Sequence, residues 1–261
     1  MKTGSKQRTV SAHLRPLWIA GRFLTRLPFP DPGATTAAEV GQSVLWYPLT
    51  GLLLGGLIAS IAWLVSGAAV SVAAAVVLIA WVWGSGAIHL DGIADSADGW
   101  VGGLGSRERT LDIMKDPRCG SMGVTVIGLV LIAKFAGLQA LLAQSDGWLL
   151  LWLPLLGRWQ LPLLLLTTRY ARSHGMAFEQ AQHLPRRAGW LVVSAVLLAE
   201  ILIVSATQNW ILATTLALVT VSILLIMRRA MVQRLAGFTG DTAGAVVEVT
   251  ETALLLVISW S

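Results

Sequence analysis

The stretch Ala68-Ala-Val-Ser-Val-Ala-Ala-Ala-Val-Val-Leu-Ile-Ala-Trp-Val-Trp-Gly-Ser-Gly-Ala-Ile-His-Leu-Asp-Gly-Ile-Ala-Asp-Ser-Ala-Asp-Gly-Trp100 passes from apolar to acidic within a few residues. No Asp, Glu, Lys or Arg occurs from Ala68 to Leu90, and Asp91, Asp95 and Asp98 follow at once. A helix needs about 20 apolar residues to cross the hydrocarbon core of a bilayer, so residues 68–90 read as a membrane span. The three aspartates then leave that span at one membrane surface. Their offsets of i, i+4 and i+7 put them on one face of a continuing helix, about one turn apart.

Carboxylates that close repel one another. A divalent cation removes the repulsion, and hard oxygen ligands favour Mg²⁺ or Mn²⁺. A Mg²⁺ ion held by only a few carboxylates keeps positions open for substrate phosphates. The stretch therefore reads as the site of a metal-dependent phosphoryl-type transfer at a membrane surface. The plain alternative is a solvated helix end with a few acids. It leaves Gly92, Gly99, Gly102, Gly103 and Gly105 in the same stretch unexplained; glycine lets a backbone approach a ligand closely. His89 stands two residues before Asp91, off the acid face, where a packing role suits it.

The rest of the chain has the same character. Of 261 residues, 55% are hydrophobic and 13% charged, with a mean hydropathy of +0.71; soluble domains carry about 25% charged residues. Apolar segments fall at 43–66, 68–90, 122–143, 147–168, 189–208, 210–227 and 242–260. The turns near 67, 144–147 and 208–210 lack Lys and Arg. Segments 1–42, 91–121, 169–188 and 228–241 hold all of the 19 basic residues except Lys134 and Arg158. By the positive-inside rule those four segments face the cytoplasm, which puts the N-terminus inside and the C-terminus in the periplasm. The net charge of +5 is then an orientation signal for a lipid bilayer. No basic-aromatic patch of the nucleic-acid type is present. The single cysteine, Cys119, excludes an intrachain disulfide.

Residues 1–10 are polar and basic and read as a disordered leader ahead of one integral-membrane catalytic domain, 11–261. No short apolar core with a small-residue cleavage site is found, so a secretory signal is not expected. Residues 12–28 are amphipathic: Leu17, Leu24 and Leu27 fall near one face, and Arg15, Arg22 and Arg26 near another. This suits a helix lying in the headgroup layer, ended by Pro28, Pro30 and Pro32. The expected fold is all-α, a polytopic membrane helical bundle of about seven transmembrane helices plus an N-terminal interfacial amphipathic helix.

Two further polar stations fall at the same predicted surface. In Arg107-Glu-Arg-Thr-Leu-Asp-Ile-Met-Lys-Asp-Pro-Arg-Cys-Gly120, Asp112 and Asp116 are four apart, with Lys115 and Arg118 beside them. Cations next to a metal-binding acid cluster suit a diphosphate, whose charge they share; local ion pairs on a surface helix are the simpler use for Glu108, Arg109 and Asp112. In Gly237-Phe-Thr-Gly-Asp-Thr-Ala-Gly-Ala-Val-Val-Glu-Val-Thr-Glu251, Asp241, Glu248 and Glu251 lie near one helical stripe. Acids within a span are functional candidates, although Glu248 and Glu251 also suit the neutralisation of a buried cation. Lys134, Arg158, Glu200 and Glu251 fall roughly 14–20 Å deep in their spans at the helical rise. They are expected to face the bundle interior, with at least one cation paired to an acid.

Five motifs occur in order: Phe23-Leu-Thr-Arg-Leu-Pro28, Tyr47-Pro-Leu-Thr-Gly51, His89-Leu-Asp-Gly-Ile-Ala-Asp-Ser-Ala-Asp-Gly99, Ile113-Met-Lys-Asp-Pro-Arg118 and Thr239-Gly-Asp-Thr-Ala-Gly-Ala-Val-Val-Glu248. Singly each is weak. Together they resemble the cobalamin synthase family, the adenosylcobinamide-GDP ribazoletransferases, from about residue 18 to the C-terminus. The resemblance implies a Mg²⁺-dependent enzyme of the inner membrane, acting late in cobalamin biosynthesis. It implies that α-ribazole or its 5′-phosphate is joined to adenosylcobinamide-GDP with release of GMP, giving adenosylcobalamin or its 5′-phosphate. For that reaction Asp91, Asp95, Asp98 and Asp241 are the expected metal ligands, with Glu248 beside them as a further catalytic acid. Lys115, Asp116, Arg118 and Asp112, together with Thr239 and Gly240, are the expected substrate contacts. Arg169 and Arg172, in the segment Arg169-Tyr-Ala-Arg-Ser-His-Gly-Met-Ala-Phe178, also look familial and are expected to touch the large substrate. A homo-oligomer, or a complex with other enzymes of the pathway, is left open.

Two other classes compete. CDP-alcohol phosphotransferases also use an acid-rich helix beginning Asp-Gly-x-x-Ala, as Asp91 to Ala94 do here, but Arg is expected where Asp95 stands. A cation transporter would place its acids near mid-bilayer along a path, whereas the strongest cluster here lies at one surface.

Overall fold

The structure is a computed structural model and describes residues 4–144 and 146–260, with side chains from residue 13 onward. Twelve α-helices are found among these residues: α1 (Gly4–Leu24), α2 (Ala37–Ser43), α3 (Tyr47–Leu64), α4 (Val70–Ser85), α5 (Ile88–Gly102), α6 (Arg107–Ile113), α7 (Ser121–Ala143), α8 (Trp152–Thr167), α9 (Met176–His183), α10 (Arg186–Thr207), α11 (Trp210–Leu235) and α12 (Gly240–Ile258). Short 3₁₀ turns at Val44–Trp46 and Gly147–Leu151 lead into α3 and α8. No β-strand occurs among the described residues; one isolated bridge joins Tyr170 to Phe238. The expected polytopic membrane bundle is therefore the fold. Of the expected leader, residues 1–3 lie outside the described residues, and α1 begins at Gly4.

At the centre stand α8 and α12, which pack on each other and carry the other helices around them: α3, α10 and α11 on α8, and α5, α7 and α11 on α12. Small residues allow this closeness. Gly51 and Gly55 stand one turn apart on α3, and a Cβ on Gly55 would lie 2.5 Å from the Leu151 carbonyl oxygen. Without glycine the backbones separate, as at small-x-x-x-small crossings in membranes generally. Two apolar clusters fill the interior, one around Leu54, Trp81, Leu138, Leu156 and Leu255, the other around Tyr47, Trp159, Leu164, Leu224 and Val247. Large apolar side chains also point outward, among them Trp63, Trp83, Leu129, Ile132, Leu218 and Ile226. Such an exterior suits a hydrocarbon solvent.

The span count differs from the expected seven. Among the described residues, five stretches of helix are long and apolar enough to cross on their own, and a sixth span is made if α4 and α5 are taken together. Those two helices form an angle of 83°. Gly86 and Ala87 both adopt positive φ; the Ala87 N–H donates to the Val82 carbonyl and the Gly86 N–H to Trp83. This pairing closes a helix C-terminus, so the expected span 68–90 ends at Ser85 and the acid-bearing helix turns away from it. The expected seventh span, α12, has the length of a crossing helix but holds three acids and is buried along most of its course. It runs inside a sheath of other helices, and that sheath relieves it of the need to be apolar.

Hydrogen bonds tie the elements together at both ends. At one end the Gln144 side chain donates to the Ser259 carbonyl. At the other, the Arg107 guanidinium donates to the carbonyls of Leu235 and Ala171, Arg234 donates to Thr110 Oγ1 and the Trp100 carbonyl, and Arg228 donates to Thr168 Oγ1 and the Thr167 carbonyl. Basic residues that the sequence shows only as a charge collar thus also fasten the loops of this end. The acids lie there too.

Candidate active site

Gly92 determines where α5 meets α12. A Cβ there would stand 2.6 Å from the Asp241 carbonyl oxygen. Gly244, one turn on, faces His89 and Gly92 across the same crossing. This contact brings the acid face of α5 to the start of α12: Asp95 lies in the field of Asp91, Asp241 and Asp98, with Arg172 as the cation within reach. Thr239 caps α12, accepting from the Thr242 N–H at 3.2 Å, and donates to Asp241 at 3.3 Å. The cap holds Asp241 in the first turn, where helix N–H groups favour negative charge.

The four aspartates differ in what they already hold. Asp91 is exposed and Asp95 half-buried, and neither has an ion-pair partner among the described residues. Asp98 accepts from the Gly120 N–H at 2.7 Å and the Gly123 N–H at 2.9 Å, which caps α7. Asp241 accepts from Arg172 at 2.8 Å. Arg172 is brought there by the Tyr170–Phe238 bridge: the Ala171 N–H donates to Phe238 and the Phe238 N–H to Arg169. Arg169 is one residue from that bridge and lines a neighbouring polar cavity with Arg172. Gly240 follows the Thr239 cap and lines an apolar cavity with Asp241.

The segment after α6 borders this group. The Gly120 and Gly123 N–H groups that donate to Asp98 put this loop beside the acids, and the Cys119 thiol is pushed up by desolvation and by the carboxylates of Asp98, Asp95 and Asp91. Arg118 is committed within the loop, donating to both Asp116 oxygens at 2.9 and 2.6 Å; its guanidinium holds Asp116 down at about 2. Lys115 and Asp112 are exposed and 3.7 Å apart, one of the local pairs expected on this helix.

Glu248 stands apart from the acid group. It lies on the stripe of Asp241, as its spacing predicts, but about 10 Å deeper at the helical rise. There Lys134 reaches Glu248 at 2.5 Å and Glu251 at 3.0 Å. Arg158 pairs with Glu251 and lies 3.3 Å from His89 Nδ1. Lys134 and Arg158 thus face the interior and pair with acids, as expected. Glu200 also faces the interior, yet neither of its carboxylate oxygens has a partner among the described residues.

Among the described residues no three Asp, Glu, His or Cys side chains already converge to hold a metal ion. A Mg²⁺ site needs only one or two carboxylates, the ion being shared with waters and substrate phosphates. Asp91 and Asp95 are hard oxygen donors with open coordination. The donor set fits such an ion.

Sequence comparison places the chain in a known family. The chain matches the cobalamin-5-phosphate synthase family over residues 16–259. It is 46% identical over 241 residues to the adenosylcobinamide-GDP ribazoletransferase of Pseudomonas fluorescens strain Pf0-1, covering 92% of this chain and 97% of that one. It is 49% identical over 245 residues to the enzyme of the same name from Ectopseudomonas mendocina strain ymp, covering 93% and 98%. The chain belongs to the cobalamin-5-phosphate synthase family. No solved structure matches it. The acids of α5 and the capped start of α12 come from two of the five motifs, His89–Gly99 and Thr239–Glu248. What sequence reasoning missed is the pairing of Arg172 with Asp241 and the contact of Arg158 with His89. Their signals existed only as a basic residue in a loop and a histidine beside the acids.

Proposed function

We propose that this chain joins adenosylcobinamide-GDP to α-ribazole 5′-phosphate, or to α-ribazole, with release of GMP, at the cytoplasmic face of the inner membrane. The observation that carries the reading is the meeting of Asp91, Asp95, Asp98 and Asp241 at one end of the bundle, in a chain of this family. Asp91 and Asp95, with Asp98 and Asp241 beside them, would hold Mg²⁺. Bound there, the ion supplies Lewis-acid charge that screens the diphosphate and stabilises the departing phosphate. The ribazole 3′-hydroxyl attacks the phosphorus attached to cobinamide, a new P–O bond forms, and the bond to GMP breaks. Asp241, held by Arg172 through one oxygen, offers the other to the metal or to the attacking hydroxyl proton. GMP leaves as a phosphate monoester anion and needs no proton. Lys115 lends charge to the diphosphate from the bordering loop. Arg118 does so once the substrate competes with Asp116. Glu248 acts as a positioning residue, anchoring α12 two turns below the acids.

The test uses purified protein in lipid with Mg²⁺, adenosylcobinamide-GDP and α-ribazole phosphate, and measures GMP and the joined corrinoid. Release of CMP from a CDP-alcohol, with no GMP from these substrates, would transfer the chain to the competing chemistry. Full turnover in EDTA would remove the metal. Orientation is checked by reporter fusions at residues 145 and 261, both expected to read periplasmic.

A further inference from the structure

Two cavities flank the Arg172–Asp241 pair. The first holds about 320 Å³ between the ends of α1, α3, α5, α8, α9 and α12. That volume is at the small end of the roughly 300–1,000 Å³ of ligand pockets, too small for a corrin macrocycle. Its walls are aromatic and aliphatic, with the Phe23, Tyr47 and Phe238 rings and Leu161 among them. The Phe23 and Tyr47 rings stand 6.3 Å apart at 31°. Polar atoms inside it are mostly spoken for. Gln180 donates to the Tyr47 hydroxyl at 2.5 Å, and His89 is engaged by Arg158. Asp241 is among its lining residues.

The second cavity holds about 520 Å³ and is polar, lined by Arg169, Arg172 and Arg186 with Thr167, Thr168 and Tyr170. Arg186 spends one N–H on the Leu166 carbonyl. Arg172 Nε is buried without a hydrogen-bond partner among the described residues, so a donor is left over. The cavities share a wall. Tyr170 lines the second and packs edge-on at 5.3 Å against Phe238, which lines the first; Arg172 lines the second and bonds Asp241, which lines the first.

An apolar aromatic slot, a carboxylate and an arginine-lined cavity in that order match the parts of one molecule class: a nucleoside monophosphate whose base is flat and nearly free of polar edges. A guanine would bring unmatched donors and acceptors into the slot, and each would be costly there. A fused azole base brings few. We propose that the apolar cavity seats the aromatic base of the ribazole acceptor and that the arginine cavity takes its 5′-phosphate, with the sugar lying across the Arg172–Asp241 pair. This assignment rests on the transferase reading above and extends it to the acceptor's two subsites.

The experiment measures binding of α-ribazole and α-ribazole 5′-phosphate to the full chain in lipid nanodiscs, with EDTA and no adenosylcobinamide-GDP, alongside KM for both substrates in the complete reaction. Ala177→Trp at the half-buried cavity mouth is expected to weaken both acceptors by about tenfold or more, leaving KM for adenosylcobinamide-GDP unchanged. Leu161→Phe, which narrows the cavity from α8, provides a second variant should the first insert poorly. Arg169→Gln with Arg186→Gln is expected to weaken the phosphate form by roughly 10–100-fold and the unphosphorylated form less than about twofold. Wild-type acceptor affinity in the cavity variants, or a raised KM for adenosylcobinamide-GDP instead, overturns the assignment. If wild-type protein neither binds acceptor nor releases GMP, the transferase reading itself fails; GMP release with unchanged acceptor binding in the variants sinks this inference alone.

Discussion

Two groups of charges meet along α12, at Asp241 and two turns deeper at Glu248, and they are built on opposite terms. The deeper group is complete. Lys134, Arg158, Glu248 and Glu251 are all buried, each cation meets an acid, and Lys134 also stands 4.3 Å from the centre of the Trp81 ring. The upper group is incomplete. Asp91 and Asp95 have no ion-pair partner among the described residues, and Arg172 beside them is bonded to Asp241. In a dry interior a lone charge is too costly to keep, so the deep group satisfies itself. At the bundle end, water tolerates an unpaired carboxylate, and a missing counter-charge leaves room for a ligand to supply it. The same residue types therefore serve architecture in one place and, in the proposed reaction, chemistry in the other.

The sharpest break of this contrast comes from removing one acid from each group. Asp95→Asn is expected to lower GMP release by about 10²–10³-fold or more, the scale of losing one electrostatic stabiliser of a transition state, while yield and thermal stability in lipid stay at wild-type values. Glu251→Gln is expected to do the reverse. It strands Arg158 and leaves Lys134 with Glu248 alone, so stability should fall by roughly 3–5 kcal/mol, read by thermal unfolding in detergent. A stable, inactive Glu251→Gln protein would contradict the division.

Glu248 sharpens it further. If it anchors α12 rather than binding metal, Glu248→Gln should cost stability and leave the Mg²⁺ dependence of turnover unmoved. Lys134→Met added to Glu248→Gln should not restore stability, because it also takes one of the two cations from Glu251 and leaves it Arg158 alone. A changed Mg²⁺ midpoint in Glu248→Gln would bring that residue back into the metal site. Glu200 is the control. It is buried without a cation, so Glu200→Gln removes no ion pair and should shift stability by less than about 1 kcal/mol.

The smallest effect is expected at the bordering loop. Asp116 is held at about 2 by Arg118, below its ordinary carboxylate value. A lowered folded value means that the pairing is complete above the ordinary range and is lost only as pH falls toward 2. Between pH 5 and 8 this pair should put no break into the pH profile of KM for adenosylcobinamide-GDP. Comparison of wild type with Arg118→Ala checks it; a wild-type break near neutrality that Arg118→Ala abolishes would show that the pair titrates there after all.

The bilayer fold was legible because hydrocarbon imposes one rule on every exposed residue, and composition alone reports it. Helix ends were less so. The α4 terminus is encoded in Gly84-Ser-Gly86, but hydropathy runs through to Leu90 and hides the 83° turn. The acids of α5 were legible as a group because a helix fixes neighbours at four and seven residues without any help from the rest of the fold.

By itself the sequence determined the solvent of this protein, the helical class, the faces of its helices and, through motifs in order, its family. Those follow from short-range periodicity and from the cost of polar groups in lipid. Only the tertiary structure decided which acids keep company with cations. Asp241 and Glu248 sit on one stripe, and nothing local distinguishes them. Lys134 arrives from α7 and Arg158 from α8 to occupy Glu248 and Glu251, while Arg172 arrives from the loop before α9 to hold Asp241. Those partners come from distant parts of the chain, and what brings them together is the close crossing that glycines such as Gly92 permit.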